Sequence, residues 1–262
     1  MSHRWTGPII RLDACESTND LARLLASAGL PGGTVVVART QARGRGRQGR
    51  SWSSPAGGLW ASLLLRPGVH AAGGRLSLAI AVAAAEAVER AAAVQAAIHW
   101  PNDVLVAGRK VAGVLLEGVP DAVIAGIGIN ANVAADEFPV EVRDRAASLH
   151  ALTGRAIPLQ PLLDTLIERC AVWHALWLNP AETAAAQILE AWSARDAVRG
   201  RHVVVHTPTG DLEGIAEGVD DDGALRLRTP EGTVRGIIAA DVVPMTHPRA
   251  RAQGGRSTPG DV

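Results

Sequence analysis

The alternation of apolar and polar positions divides the chain into a long first part, where helical and strand-like stretches follow one another, and a short last part made of brief apolar runs. Glu16-Ser17-Thr18-Asn19-Asp20 supplies side chains suited to a helix N-terminus just before Leu21, Leu24 and Leu25, whose spacing predicts one face of a helix ending near Gly29. Residues 34–38 read as a short buried strand that runs into a Gly/Arg loop over 40–58, and 59–65 as a second strand. Residues 74–92 place Leu78, Val82, Ala85 and Val88 at helical spacing on an alanine-rich background, which predicts a core helix. Three apolar segments, 104–106, 110–117 and 122–129, predict sheet, with Ala107-Gly108-Arg109 as a tight turn between the first two. Residues 159–178 and 181–194 read as helices separated by Asn179-Pro180.

After that the pattern changes. From 201 to 243 it consists of runs such as 203–205, 225–227 and 236–238, cut by turns at 208–210, 220–223 and 230–232, which describes a small β-barrel. The expected organisation is α+β: a catalytic domain over 1–196, a barrel over 197–246 and a disordered Pro/Arg/Gly/Ser tail over 247–262.

With 262 residues, 47% hydrophobic and 20% charged, the chain can bury a large core. The apolar stretch 76–98 is interrupted by Glu86, Glu89 and Arg90, too soon for the roughly 20 residues a membrane span requires. The N-terminus lacks an apolar signal stretch, so the expected compartment is the cytoplasm, where Cys15 and Cys170, without CxxC spacing, are read as isolated thiols. Net charge is zero, yet no Asp or Glu occurs from Leu21 to Ala85, a stretch that carries eight arginines. A positive field concentrated there points to an anionic ligand.

The chemistry-bearing segments lie in order. Gln41-Ala-Arg-Gly-Arg-Gly-Arg-Gln-Gly-Arg-Ser-Trp52 alternates arginine with glycines that let backbone approach a ligand, and its forked guanidinium donors suit phosphate or carboxylate. By itself this segment is equally a solvated Arg/Gly loop or a binder of single-stranded nucleic acid. It is not a P-loop, because no Gly-Lys-Ser/Thr follows. Trp100-Pro101-Asn102-Asp103 is costly inside a strand and reads as a turn, either Asx-capped or facing a ligand. Lys110 opens an otherwise apolar strand, and the glycines of Ala125-Gly-Ile-Gly-Ile-Asn130 suggest that another group approaches the sheet closely.

The ordered set Ser17-Thr18-Asn19, GRGRxGRxW from Gly44 to Trp52, WPND at 100–103, RKVAG at 109–113 and GIGIN at 126–130 resembles the biotin–protein ligase family. The resemblance implies a mixed sheet of the class II aminoacyl-tRNA synthetase type followed by a small SH3-like barrel. It implies the activation of biotin by ATP to biotinyl-5′-AMP, with Mg²⁺ bridging the phosphates, and then transfer to a lysine of a biotin carboxyl carrier protein or domain. No protein nucleophile is needed, so catalysis rests on positioning and charge.

Carried over by motif, Ser17, Thr18, Asn19 and Gln41 surround biotin's ring system. Gly44, Arg45, Gly46 and Arg47 belong to the loop that closes over carboxylate and phosphate. Lys110 faces the reacting groups and, with Arg45 and Arg47, is assigned the catalytic role; Gly113 lies beside it. Trp52 stacks near adenine, and Asn102, Asp103 and Asn130 lie around the nucleotide, with Asp103 the metal ligand. The loop is expected to order on ligand binding. His99 stands where the family usually has lysine, and Arg43 where it commonly has a small residue. Only 16 residues precede Ser17, too few for an N-terminal DNA-binding domain, so no operator binding is expected, and the protein is a monomer or homodimer. A lipoate or octanoate ligase is the nearest alternative, and a nucleic-acid-binding module the alternative from another class.

Overall fold

A computed structural model describes residue 5 and residues 7–66, 73–207, 210–238 and 240–244. The chain begins with β1 (Ile9–Cys15), α1 (Thr18–Ser27), β2 (Val35–Gln41), β3 (Leu59–Leu65) and α2 (Gly74–Ala92). It continues through β4 (Ala97–His99), β5 (Asp103–Val106), β6 (Arg109–Val119) and β7 (Ala122–Ile129), and then α3 (Leu149–Thr153), α4 (Leu159–Leu178) and α5 (Glu182–Ser193). β8 (His202–Thr207), β9 (Gly210–Val219), β10 (Leu225–Arg228), β11 (Val234–Ile237) and β12 (Asp241–Pro244) complete the described chain.

The first seven strands form one sheet in the order β1-β2-β3-β7-β6-β5-β4. β1 runs parallel to β2, and the remaining pairs are antiparallel, so the sheet is mixed as expected. Because successive side chains alternate between faces, the sequence of β7 writes the layering directly. Ala125, Ile127 and Ile129 join the main core with α2, whereas Ile124 joins the cluster under α1 with Ala22, Ala26, Val36 and Leu64. Gly126 and Gly128 share the Ile124 face, so the α1 side of the sheet is left open where the glycines lie.

The other face is closed by helix packing. α2 buries Leu76, Leu78, Ile80, Val82, Val88 and seven alanines between the sheet and the helices α4 and α5. Each large aliphatic side chain buried there contributes roughly 1.5–3 kcal/mol, and the alanines allow the neighbouring helices to come close. The hairpin between β5 and β6 turns on Ala107 (φ 50°) and Gly108 (φ 77°), two consecutive left-handed residues that match strand twist.

The last five strands form an antiparallel sheet in the order β11-β10-β9-β8-β12, a small SH3-like unit. Val203, Val205, Leu225, Leu227 and Val242 belong to the same buried cluster as Leu76, Ile98 and Trp100, so the two sheets are joined by apolar contact. A polar bond reinforces the joint, Trp100 Nε1 donating to Gly223 O (3.1 Å), while Ile98 N donating to Arg195 O (2.6 Å) and Ala197 N to Ile98 O (2.9 Å) tie β4 to the segment that leads into the second sheet.

Several details differ from the sequence expectation. The buried face of α1 consists of Thr18, Asn19, Ala22 and Ala26, while Leu24 is 67% exposed. Ser17 takes the N-cap position without capping through its side chain, and Thr18 N donates instead to Gln41 Oε1 (2.8 Å). β1, β4 and α3 have no counterpart in the sequence expectation, β9 and β12 belong to the expected barrel without being singled out in it, and the expected strand at 236–238 is observed at Val234–Ile237. The expected tail over 247–262 and two residues of the turn at 208–210 lie outside the described residues.

Candidate active site

On the open face of the sheet, β3, β7 and β6 align three rows of side chains. The registers Trp60↔Gly128, Ser62↔Gly126 and Leu64↔Ile124 continue across to Gly113↔Gly128, Leu115↔Gly126 and Glu117↔Ile124. Small or polar residues therefore replace bulk along one strip, and side chains from outside the sheet lie in it. A Cβ on Gly128 would stand 2.7 Å from Trp52 Cε2, one on Gly113 would stand 3.0 Å from Trp52 Cζ3, and one on Gly126 would collide with Asn19 Oδ1. The groups that the glycines of GIGIN admit are thus the protein's own Asn19 and Trp52.

The N-terminus of α1 forms the polar end of the site. Gln41 Oε1 accepts from Thr18 N (2.8 Å) and Thr18 Oγ1 (3.0 Å), and Gln41 Nε2 donates to Ser54 Oγ (2.9 Å). Ser62 Oγ lies 2.7 Å from Thr18 Oγ1 and 2.5 Å from Asn19 Oδ1, while Asn19 Nδ2 donates to Glu117 Oε2 (2.6 Å). Ser17, Thr18, Asn19 and Ser62 are all buried, so this is a polar pocket cut into an apolar layer, its Thr18, Asn19 and Ser62 side chains linked to one another and to Gln41 and Glu117.

The arginine loop forms one wall. Gly44 is packed tightly, since a Cβ there would lie 2.5 Å from Trp52 O and 2.7 Å from Ser54 Oγ, while Gly46 has ordinary space around it. Arg47–Gly49 make a short 3₁₀ turn in which Gln48 (φ 55°) and Gly49 (φ 73°) are left-handed. Arg45 makes a bidentate pair with Asp20 (2.7 and 2.7 Å) and lies 3.3 Å from Glu117 Oε2, and hydrogen bonding to Asp20 holds its guanidinium still more firmly charged. Asp20 is correspondingly pushed below the usual carboxylate range.

Arg43 pairs with Glu16, and Arg50 with Asp241 (2.9 Å). Arg47 differs from these. It has no carboxylate partner among the described residues, and it reaches only Asn102 Oδ1 and Ala240 O, each at 3.4 Å. Burial lowers its pKa, so it is the loop cation that gains most from an incoming anion.

Facing the loop, the turn at 100–103 is pinned to β6. Asn102 Nδ2 donates to Val114 O, and Val114 N donates back to Asn102 O (3.1 Å). Lys110 Nζ lies 2.6 Å from Asp103 Oδ2 and 5.1 Å from the centre of the Trp52 ring. Trp52 meets Trp60 edge to face, with centroids 6.4 Å apart. Asn130 is buried, with Nδ2 3.5 Å from Lys110 O. His99, also at the groove, is held towards its neutral form by burial.

One groove of about 1320 Å³ brings these groups together. It is lined by every predicted site residue except Gly44, which packs behind the loop instead. It continues past His99 and Asp196 to His206 and Asp241 on the C-terminal sheet. Sequence reasoning missed Ser62, Asp20 and Glu117. The signal for two of them was present: Ser62 is the lone hydroxyl in the apolar strand LWASLLL, and Glu117 the lone acid in VAGVLLEGV.

Residues 12–133 match the Biotin/lipoate A/B protein ligase family, and residues 199–243 match the Biotin protein ligase C terminal domain. Over 235 residues the chain is 43% identical to the biotin–[acetyl-CoA-carboxylase] ligase of Paracoccus denitrificans, covering 86% of this chain and 95% of that one. Over 245 residues it is 37% identical to the bifunctional ligase/repressor BirA of Bacillus spizizenii, covering 89% and 73% respectively. The structure of biotin protein ligase from Aquifex aeolicus in complex with biotin and ATP superposes with a TM-score of 0.81 at 29% identity, covering 92% of this chain and all of that one. Sequence and fold agree, and the chain belongs to the biotin protein ligase family.

Proposed function

We propose that the protein activates biotin with ATP and attaches it to a lysine of a biotin carboxyl carrier protein or domain. A biotin carboxylate oxygen attacks the α-phosphorus, releasing pyrophosphate and giving biotinyl-5′-AMP. The acceptor lysine amine then attacks the acyl carbon, and AMP leaves. The observation that carries this reading is the continuity of the groove: a polar pocket at one end opens onto a wall of guanidinium groups and Lys110 without a break. Its volume exceeds the roughly 300–1,000 Å³ of a typical single-ligand site, as two substrates held side by side require.

In this reading Ser17, Thr18, Asn19 and Gln41 hold the ring system. Arg45, Arg47 and Lys110 stabilise the charge that builds on carboxylate and phosphate, and the fixed donors cost little reorganisation when the reaction occurs. Trp52, Gly113, Asn102 and Asn130 shape the nucleotide end. Among the described residues no three His, Cys, Asp or Glu side chains gather into a metal cage. Asp103, one of the carboxylates lining the groove and the one beside Lys110, would fit a magnesium ion arriving on ATP's phosphates, where the ion would neutralise phosphate charge. Both cysteines are free thiols, and no helix among the described residues is long and apolar enough to cross a membrane, in keeping with action in the cytoplasm.

The test is incubation with biotin, Mg²⁺ and α-labelled ATP, followed by addition of a biotin-acceptor domain. Biotin-dependent labelled adenylate and then biotin on the acceptor are expected. Adenylate formed from lipoate or octanoate but not from biotin would overturn the substrate, and none from any of these acids would overturn the ligase reading.

A further inference from the structure

Glu117 does not line the groove, yet it ends the chain of hydrogen bonds that does. A carboxylate on an apolar sheet face is costly unless it is fully partnered. Glu117 receives Asn19 Nδ2 at 2.6 Å, Arg23 Nη2 at 3.3 Å and Arg45 Nη2 at 3.3 Å. Flanked by two guanidinium groups, this carboxylate accepts and does not donate. The end of the Asn19 amide that faces it must then be the NH₂, and the end left for the pocket must be the carbonyl oxygen.

That constraint propagates. Asn19 Oδ1 lies 2.5 Å from Ser62 Oγ, which lies 2.7 Å from Thr18 Oγ1, which in turn lies 3.0 Å from Gln41 Oε1. Three oxygen–oxygen contacts share only the two protons of Ser62 and Thr18, so the row is rich in acceptors, and its polarity is set where it meets an atom that cannot be turned round. We propose that Glu117 is a positioning residue for the ring end of the substrate: by fixing the Asn19 amide it decides which atoms of the pocket accept and which donate. The proposal rests on the biotin ligase reading, in which this pocket receives a cyclic urea, a group with two N–H donors and one carbonyl acceptor.

The test is adenylate formation, followed as biotin-dependent pyrophosphate release, in Glu117→Gln. Glutamine keeps the size but can donate as well as accept, so it no longer orients Asn19. The KM for biotin should rise at least tenfold, with the KM for ATP within twofold and kcat within threefold of wild type. Arg23→Met, which removes an ion pair and leaves the Asn19 bond intact, should leave the KM for biotin within twofold. In an Asn19→Ala background, Glu117→Gln should change that KM no more than twofold, since its effect travels through Asn19.

Equal rises in both KM values, an unchanged KM for biotin, a rise in Arg23→Met matching that in Glu117→Gln, or an effect that persists without Asn19 would each overturn the proposal. Should Glu117→Gln not fold, Glu117→Asp serves in the same two backgrounds. Its shorter carboxylate should raise the KM for biotin about threefold with Asn19 present and not at all without it, and any other pattern overturns the proposal. Wild-type protein that formed no adenylate would fail the ligase reading itself, whereas an active wild type with insensitive variants fails only this inference.

Discussion

Lys110 Nζ and Asp103 Oδ2 lie 2.6 Å apart across the β5–β6 hairpin, at the point where Lys110 also overhangs the Trp52 ring. Each side chain is about 30% exposed, so the pair adds at most about 1 kcal/mol to stability. Its value is positional, because it holds an ammonium at the groove until an anion competes for it. Lys110→Met should keep the aliphatic stem over Trp52, leave thermal unfolding nearly unchanged, and lower kcat for adenylate formation by about 10²–10³. Retention of kcat within fivefold would remove Lys110 from the reaction.

Among the described residues Arg47 reaches only Asn102 Oδ1 and Ala240 O, which on the ligase reading would leave it the loop residue most free to grip the adenylate. Arg47→Gly should release it. Incubated with a bystander protein bearing no acceptor sequence, the variant should biotinylate bystander lysines at least tenfold faster than wild type, read by avidin blotting. Equal bystander labelling would show that the adenylate is retained by other groups.

Gly128 forms part of the floor beneath Trp52, and Gly118, on the exposed end of β6, has no atom within 4 Å of where a Cβ would stand. Gly128→Ala should therefore cost about 1–3 kcal/mol through overpacking or displace Trp52, with a changed tryptophan emission and a raised KM for ATP. Gly118→Ala should fall within about 0.5 kcal/mol of wild type. Equal behaviour of the two would mean that the floor does not matter.

His174 on α4 is buried beside Trp5 and Trp177, its Nε2 without a hydrogen-bond partner among the described residues, and burial pushes its pKa down from 6.5 to about 4. A lowered folded-state pKa means that the unfolded chain binds more protons between these values. The stabilisation is therefore complete above pH 6.5 and is lost as pH falls towards about 4, on the order of 3 kcal/mol in all. Urea unfolding of wild type and His174→Phe at pH 7, 5.5 and 4 should show the wild type losing more stability across that window. Parallel curves would show that His174 does not contribute this dependence.

Much of this site was legible in the sequence because its chemistry is concentrated in short motifs with unusual composition, such as the glycines of GIGIN and the alternating arginines. The parts that were not legible depend on long-range partners. β1, IIRLDAC, is an edge strand whose pairing with β2 spans α1, and its mixed Arg11 and Asp13 gave no continuous apolar run. Leu24 was expected inside, yet it lies outside because the inner face of α1 is reserved for the pocket side chains Thr18 and Asn19. Glu117 could be seen as an oddity in β6, but its partners are 98, 94 and 72 residues away, and no local pattern reports them.

The stretch without acidic residues looked like a field waiting for an anion, but the fold answers it from outside the stretch, with Glu16 and Asp20 on one side and Glu117 and Asp241 on the other. In the ligase reading proposed above, uptake of phosphate or carboxylate at the loop arginines would be an exchange of counter-charges, in which the pairs of Arg43 and Arg50 with Glu16 and Asp241 loosen as the ligand anion binds. Added salt weakens both sides of such an exchange, so on this reading the discrimination among anions would pass from charge to the shape of the groove.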